Sequence, residues 1–267
     1  MEDAKIIDGR KLAGKHAEVL RRKIAKLSVK PKIVSIIIGD DAPSLLYTHI
    51  KEKKAREVGV DFAPKFFPAG IPSEEVTAFI EQQNNDPLVN GILVQLPVEH
   101  ASELLQKIAP EKDIDGLRKD SPFLPAAVAA VLSILKDEKI KVVGKKIAVL
   151  GASDLVGTPV ARELTKMGGL VDVCDINTPN LRAITLEADI IVSATGTPGL
   201  VIGKMVKDGV VVIDVGSEKV GEKVVGDVDF DSVAPKASRI TPVPGGVGPM
   251  TVVCLLENVI KSLHGHV

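Results

Sequence analysis

The sequence is poor in cysteine and in aromatic residues, and its charges nearly cancel. Its 267 residues include two cysteines, one tyrosine and no tryptophan, and 34 Lys+Arg against 35 Asp+Glu leave a formal net charge of −1. Such a chain has no basic excess to neutralise phosphates and few rings on which bases could stack. These absences argue against nucleic acid as a partner.

Cysteine pairs, metal-binding patterns and long apolar runs are also missing. Cys174 and Cys254 lie far apart and belong to no Cys-x-x-Cys pattern, so neither a disulfide framework nor a zinc site is indicated. The charged N-terminus lacks the apolar run of a signal peptide, and no segment approaches the roughly 18–20 apolar residues that span a bilayer. We expect a cytoplasmic protein that binds no metal and no membrane. The five histidines, none of them at a metal-binding spacing, are His16, His49, His100, His264 and His266.

Strand-like and helix-like patterns alternate along the chain. The β-branched run at 33–38 is typical of a strand buried on both faces, and a helical pattern at 43–58 follows it, with Asp40 and Asp41 before and Gly59 after. Similar segments follow at 61–67, 73–84 and 91–96, a second set of strands and helices runs from 146 to 215, and a last apolar helix is predicted at 251–263. This alternation predicts α/β domains with parallel sheets and right-handed crossovers.

A glycine turn separates the predicted strand 146–150 from the predicted helix 158–167. Free backbone N–H groups and the helix dipole at such a turn favour a pyrophosphate. The turn departs from the G-x-G-x-x-G pattern, because Ser153 and Val156 stand where the second and third glycines are expected. The turn, with Gly151 and Gly157, is therefore either a nucleotide site or a tight structural connection.

Other candidate cofactor residues follow later strands of the same set. Asp175 ends the next strand, where an acidic side chain can accept hydrogen bonds from an adenine ribose and would repel a 2′-phosphate. The alternative for Asp175 is a solvated turn residue. Thr195, Gly196 and Gly216 also follow strands, at the edge where ligands bind in open α/β sheets, although glycine there is common loop punctuation.

Polar residues of the first half form a second group of candidates. Tyr47 and Lys51 are four residues apart on the predicted helix, so both project from one face. They could act on one ligand, or they could belong to a solvated surface, since charged residues surround them. Gln95 ends an otherwise apolar strand at the carboxyl edge, and a buried amide there needs hydrogen-bond partners.

Two loops carry further candidates. Asp113 and Asp115 precede Gly116 in a turn-like stretch, where a carboxylate could pair with a heterocycle edge through two hydrogen bonds or form an Asx turn. The stretch 242–249, PVPGGVGP, has three prolines and three glycines in eight residues. Its backbone is therefore stiff at some points and able to approach a ligand closely at others.

These segments occur in an order that resembles one known family. From about residue 5 to 263, the chain is similar to the methylenetetrahydrofolate dehydrogenase/cyclohydrolase family. The segments that carry the resemblance are IGDDAPSLLYTHIKEKKAREVGV, GILVQLPV, PEKDIDG, GASDLVGTPVARELTKMG, ADIIVSATGTPG, VVIDVGS, GDVDF and TPVPGGVGPMT. The Tyr-x-x-x-Lys segment, GILVQLP and the last motif are the most specific of these.

The resemblance implies an activity and a set of site residues. The implied reactions are oxidation of 5,10-methylenetetrahydrofolate with NAD or NADP and hydrolysis of the methenyl product to 10-formyltetrahydrofolate, by a homodimer. The implied catalytic residues are Lys51 as the catalytic lysine, Gln95 as its amide partner, Tyr47 as the folate-stacking tyrosine and Asp115 as the carboxylate that holds the pterin. Implied folate contacts also include Leu96, Pro244, Gly245 and Gly248; implied cofactor contacts are Gly151, Ser153, Val156, Gly157, Asp175, Thr195, Gly196 and Thr251.

The chain departs from the family pattern near the expected cofactor. The segment 116–125 is shorter than is usual in the family, and Leu124 stands where a cofactor-contacting threonine is expected. Ala152 and the pair Asp175–Ile176 replace the residues that usually hold the 2′-phosphate. We therefore expect NAD to be favoured over NADP.

The length and the resemblance together predict two domains with a cleft between them. At about 150 residues per domain, 267 residues suggest two. We expect an N-terminal βαβ catalytic domain at 1–125, completed by the C-terminal helix 248–267, and a Rossmann-like dinucleotide-binding domain at 126–247. Two alternatives remain: a related Rossmann dehydrogenase of another small substrate, such as a shikimate-type acid, and a catalytically silent nucleotide-binding protein.

Overall fold

The computed structural model describes residues 5–263 as alternating strands and helices. The strands are β1 (Lys5–Ile6), β2 (Lys32–Ile38), β3 (Asp61–Phe67), β4 (Gly91–Val94), β5 (Lys146–Leu150), β6 (Leu170–Cys174), β7 (Ile190–Ser193), β8 (Val211–Asp214), β9 (Glu218–Val220), β10 (Lys223–Val225) and β11 (Arg239–Ile240). The α-helices are α1 (Gly9–Ile24), α2 (Ala42–Val58), α3 (Ser73–Asn85), α4 (Ala101–Lys107), α5 (Ala126–Asp137), α6 (Gly157–Lys166), α7 (Leu181–Glu187), α8 (Phe230–Val233) and α9 (Val247–Ser262).

The chain divides into two compact units, each built around its own parallel sheet. Among the described residues, the three-stranded unit comprises 14–126 and 252–263, and the six-stranded unit comprises 5–13 and 127–251. The expectation of a two-domain α/β protein is confirmed. In the part of the chain that is described, no helix is long and apolar enough to cross a membrane.

The three-stranded unit has β2 at the centre of its sheet. The strand order is β3-β2-β4, and both pairings are parallel. The five residues 33–37 are all buried, as expected for a central strand covered on both faces. Ile36, Ile80 and Ile92 join one apolar cluster in which α3 packs against the sheet.

Helix α2 has the boundaries that its capping residues predict. Asp41 precedes the helix, and its carboxylate accepts a hydrogen bond from the Ser44 N–H at 2.9 Å. Gly59 ends the helix in the left-handed conformation, with φ 95°. Because α2 connects the parallel strands β2 and β3, it runs opposite to them, and its N-terminal half lies at their carboxyl edge.

The six-stranded unit has the strand order β1-β11-β8-β7-β5-β6, with all pairings parallel. Leu150 is opposite Cys174 on one side and Ser193 on the other, and Ser193 is opposite Asp214. Four strands therefore end side by side. The residues that follow them emerge at one edge, as predicted for Gly151, Asp175 and Thr195.

The structure corrects the sequence-based boundaries at both ends of the chain. The first described residues lie in the six-stranded unit and not in the first domain, because Lys5 and Ile6 pair with β11. A two-residue strand carries no periodicity that a sequence could reveal. The last helix begins at Val247 and not at Thr251, since Pro249 falls in its first turn, where no backbone N–H is needed.

Candidate active site

The face of α2 that packs inward changes from polar to apolar along the helix. Its buried residues, spaced at three and four positions, are Ser44, Thr48, Lys51, Ala55 and Val58. The apolar pair covers the sheet, and the three polar residues occupy the half near its carboxyl edge. The two hydroxyl groups donate to backbone carbonyl groups, whereas a lysine on a buried stripe is unusual unless it has a partner.

Lys51 and Gln95 meet at this edge. Lys51 is 9% exposed, and its Nζ donates a hydrogen bond to Gln95 Oε1 at 3.0 Å. Gln95 is held in turn, because its backbone N–H donates to Ile36 O at 2.8 Å and its Nε2 donates to Leu96 O at 2.9 Å. The alternative of a solvated helix surface is therefore wrong for Lys51, whereas Tyr47, one turn earlier, is half-buried.

The two aspartates of the loop after the short helix at 110–112 have different surroundings. Asp113 is fully buried, its Oδ2 accepts from the Arg118 N–H at 2.8 Å, and burial raises the pKa of its carboxyl group. Asp113 thus shapes the turn. Asp115, two residues later, is half-buried.

Asn258 of α9 holds both ends of the shortened segment. Its Nδ2 donates to Ile114 O at 3.0 Å and to Leu124 O at 3.2 Å. Gly116, at φ 71°, packs so closely on the Leu124 carbonyl group that a side chain there would overlap with it. The short loop is therefore fixed next to Asp115. The sequence offered no sign of Asn258, since an asparagine in an apolar helix has no pattern of its own.

The glycine turn of the six-stranded unit is closely packed. Gly151 has φ 98° and lies against the carbonyl group of Ala194, and a side chain at Gly157 would overlap with the Gly151 carbonyl oxygen. Ser153 Oγ accepts from the N–H groups of Val156 and Gly157 at 3.3 and 3.4 Å. The first residue of α6 therefore packs directly against the residue that follows β5, with no side chain between them.

Asp175 lies in an exposed turn. Its Oδ1 accepts from the Asn177 N–H at 2.9 Å and from Thr178 Oγ1 at 3.0 Å. This is the turn geometry that the sequence left open for Asp175. The neighbouring Ile176 is 98% exposed. The side chains of Ile176 and Ala152 are hydrocarbon, so neither of them carries a hydrogen-bond donor.

Thr195 and Gly196 follow β7, and the N–H group of Thr195 is held by a distant carboxylate. The Thr195 N–H donates to Asp227 Oδ2 at 2.6 Å, and Gly196 has φ 65°. Asp227 is fully buried. Asp227 stands in the GDVDF segment, but no local pattern in the sequence marks it as a buried partner of Thr195.

The proline and glycine loop leads into α9. Gly245 has φ 115°, a conformation that favours glycine, and Pro244 is exposed. Gly248 is exposed in the first turn of α9, where N–H groups are not bonded within the helix. Thr251 Oγ1 donates to Val247 O at 3.3 Å.

No metal centre is found among residues 5–263. Within that range no three His, Cys, Asp or Glu side chains form a group that could hold a metal ion. His264 and His266 lie outside the described residues.

Known proteins share both units. The family model of the tetrahydrofolate dehydrogenase/cyclohydrolase catalytic domain matches residues 7–115. The model of the tetrahydrofolate dehydrogenase/cyclohydrolase NAD(P)-binding domain matches residues 125–267. The chain belongs to this family. The family inferred from the sequence segments is therefore confirmed, together with the oxidoreductase and hydrolase class of the enzyme.

Individual members of the family match over nearly the whole chain. The bifunctional protein FolD of Lactobacillus acidophilus is 43% identical over 96% of this chain and 96% of its own length. The crystal structure of the bifunctional enzyme FolD from Campylobacter jejuni has a TM-score of 0.95 at 38% identity, covering 99% of this chain and all of that one. The Trypanosoma brucei dehydrogenase-cyclohydrolase, complexed with NADP cofactor and an inhibitor, has a TM-score of 0.93 at 34% identity, covering 99% and 98%.

The packing of the glycine turn predicts that Gly157→Ala lowers both the stability of the protein and its affinity for the dinucleotide. The added methyl group would overlap with the Gly151 carbonyl, so the turn must move. We expect a loss of about 1–3 kcal/mol in stability, typical of overpacking, and weaker dinucleotide binding. Thermal unfolding and titration calorimetry with NAD+ measure the two effects.

Gly14→Ala is the matched control for this substitution. Gly14 lies exposed in α1 with no atom near the added methyl group, and alanine there should stabilise the protein by about 0.5–1 kcal/mol. Wild-type dinucleotide affinity in Gly157→Ala would show that the close packing of the turn has no part in cofactor binding.

Proposed function

We propose that the chain oxidises 5,10-methylenetetrahydrofolate to 5,10-methenyltetrahydrofolate with a nicotinamide dinucleotide and hydrolyses the product to 10-formyltetrahydrofolate. Both family domains and the bifunctional relatives support the two activities. The single observation that carries the proposal is the hydrogen bond between buried Lys51 and Gln95. A lysine withdrawn from water and held by an amide is placed for proton transfer, not for solubility.

Hydrolysis needs proton transfer at two points. Water that adds to the methenyl carbon must lose a proton, and the ring nitrogen must gain one when its bond to that carbon breaks. Lys51 performs this exchange in the proposed mechanism: it takes up the proton from the attacking water and returns one to the ring nitrogen. Gln95 fixes the position of Nζ, since its own amide group is held at the end of β4.

The remaining folate contacts orient the ring system. Asp115 pairs with the edge of the pterin through two hydrogen bonds, which its half-buried carboxylate allows. Tyr47 stacks on the folate, as its place one turn before Lys51 supports. Further contacts that we assign to the folate are those of Leu96, Pro244, Gly245 and Gly248.

The glycine turn and the loops beside it are the proposed dinucleotide site. A bound nicotinamide dinucleotide would supply the acceptor for the hydride that leaves the methylene carbon. The turn holds the pyrophosphate, and the loop after β7 contributes Thr195 and Gly196. The complete set of residues that we assign to the cofactor is Gly151, Ser153, Val156, Gly157, Asp175, Thr195, Gly196 and Thr251. Gly151, Asp175 and Thr195 follow strands that end side by side, and this common edge, together with the glycine packing at the turn, supports their assignment.

We also propose that the protein is a homodimer, as the family resemblance implies, and that it is cytoplasmic. Sedimentation velocity gives the mass of the particle, and the chain mass is 28.3 kDa.

The two alternative functions are separated from the proposed one by turnover of methylenetetrahydrofolate. A dehydrogenase of another small acid would leave this substrate unchanged, and a silent protein would bind the dinucleotide without turnover.

Lys51→Met should lower the turnover of methenyltetrahydrofolate hydrolysis by about 10²–10⁴-fold, because a general acid–base group is lost. Folding and dinucleotide affinity should be nearly unchanged. Lys53→Met is the matched control, since Lys53 is exposed on the same helix, and it should hydrolyse at the wild-type rate. Hydrolysis is followed by absorbance and corrected for the uncatalysed reaction. A wild-type rate in Lys51→Met would remove Lys51 from the mechanism.

Asp175 should make the enzyme prefer NAD+ over NADP+. A carboxylate facing the 2′-phosphate places like charges together, which costs several kcal/mol and corresponds to more than about tenfold in kcat/KM. Asp175→Ser should reduce this preference, because serine keeps an oxygen that can accept from the Asn177 N–H but carries no charge.

Asp172→Ser is the control for Asp175→Ser. Asp172 is exposed on β6. The substitution removes an equal charge, but from within the strand and not from the turn that follows it, so the preference for NAD+ should be unchanged. The value of kcat/KM for each cofactor is measured with the wild type and both variants. A wild-type preference for NADP+ would contradict the role of Asp175.

A further inference from the structure

Asp227 of the six-stranded unit is a buried carboxylate that is distant in sequence from the loop it contacts. It lies between β10 and α8 and is fully buried. Its Oδ2 accepts two hydrogen bonds, from Ser193 Oγ at 2.8 Å and from the Thr195 N–H at 2.6 Å. Both donors lie where β7 ends, so a distant part of the chain holds the loop that follows β7.

A second buried carboxylate, Asp214 at the end of β8, holds the segment that carries Asp227. Asp214 Oδ1 accepts from the Asp227 N–H at 3.1 Å, and its Oδ2 accepts from the Val228 N–H at 3.0 Å. The Asp214 N–H donates to Thr241 Oγ1 at 2.7 Å, just after β11. Hydrogen bonds thus connect the ends of three neighbouring strands.

Glycines make room for these carboxylates. A side chain at Gly216 would overlap with the Asp227 carboxylate, and one at Gly226 would overlap with that of Asp214. Burial, together with the Asp227 carboxylate, raises the pKa of Asp214 to about 7, although three backbone N–H groups favour its ionised form. Burying two neighbouring carboxyl groups costs free energy that apolar side chains at the same positions would not cost.

Asp227 also has an oxygen that serves no hydrogen bond within the described residues. Its Oδ1 is buried and has no partner there, while Oδ2 carries both donors. A buried oxygen without a partner calls for an explanation, and the geometry imposed by the other oxygen supplies one. That geometry is the direction of the Thr195 backbone, since the N–H group is fixed by a charge-assisted bond.

We propose that Asp227 is a positioning residue for the dinucleotide: it fixes the loop of Thr195 and Gly196 in the conformation that binds the cofactor, without touching the cofactor itself. This role rests on the proposed assignment of Thr195 and Gly196 to the cofactor. Loss of the carboxylate leaves the Thr195 N–H and the Ser193 hydroxyl without an acceptor. The loop then adopts other conformations, and the cofactor must select the competent one.

The two activities provide an internal control for this role. Hydrolysis of methenyltetrahydrofolate consumes water and no dinucleotide, and its proposed lysine lies in the other unit. Asp227→Ala should weaken NAD+ binding, measured by calorimetry, by at least about tenfold, as expected for loss of a hydrogen bond to a charged group. The KM for NAD+ should rise with it, and hydrolysis should stay within about twofold of the wild type.

Three further variants complete the test. Asp227→Asn should restore affinity to within about threefold, because one amide oxygen can accept both bonds that Oδ2 now accepts. Asp231→Ala, an exposed neighbour, should leave affinity unchanged. If Asp227→Ala does not fold, Ser193→Ala carries the test: it removes one donor and should weaken NAD+ binding by about twofold or more with hydrolysis intact.

The outcomes separate the proposal from its premise. Wild-type NAD+ affinity in folded Asp227→Ala, or in Ser193→Ala should that variant carry the test, would overturn the positioning role. A parallel loss of hydrolysis and NAD+ binding would also overturn it, because the residue would then support the fold as a whole. If the wild type turns over no folate substrate, the proposed function fails, whereas NAD+ affinity still reports on Asp227.

Discussion

Parallel strands that end in register are the constraint on which both candidate sites depend. In the six-stranded unit, Leu150, Ser193 and Asp214 lie opposite one another, so the glycine turn and the loop of Thr195 are brought to one edge. In the three-stranded unit, Gln95 continues the ladder from β4 to Ile36, and this pairing sets its amide beside Lys51. The register of each sheet therefore determines which side chains and loops come together in each candidate site.

Features with a local physical signature could be predicted from the sequence. The capped helix α2 and the buried strand β2 are examples, because a carboxylate at the N-terminus, a glycine at the C-terminus and a continuous β-branched run each act within a few residues. The pairing of Lys51 with Gln95 was implied only by the family resemblance, since spacing on a helix gives a face and not a partner. The structure places Lys51 Nζ 3.0 Å from Gln95 Oε1.

Features that depend on long-range contacts could not be predicted. The strand β1 consists of two residues and exists because β11 accepts it at the edge of the sheet. Long-range hydrogen bonds join segments that are distant in sequence. They are made by the Asn258 side chain and by the carboxylates of Asp214 and Asp227. A buried polar residue is recognised by its partners, and these become known only with the fold.

A double-mutant cycle between Lys51 and Gln95 tests most directly whether their contact is the catalytic unit for hydrolysis. Turnover of methenyltetrahydrofolate is measured for the wild type, Lys51→Met, Gln95→Leu and the double variant. If Gln95 acts by holding Nζ, the double variant hydrolyses no more slowly than Lys51→Met alone, and the coupling energy reaches about 0.5–3 kcal/mol. Independent effects that multiply in the double variant would show that the two residues do not act together, and would contradict the account.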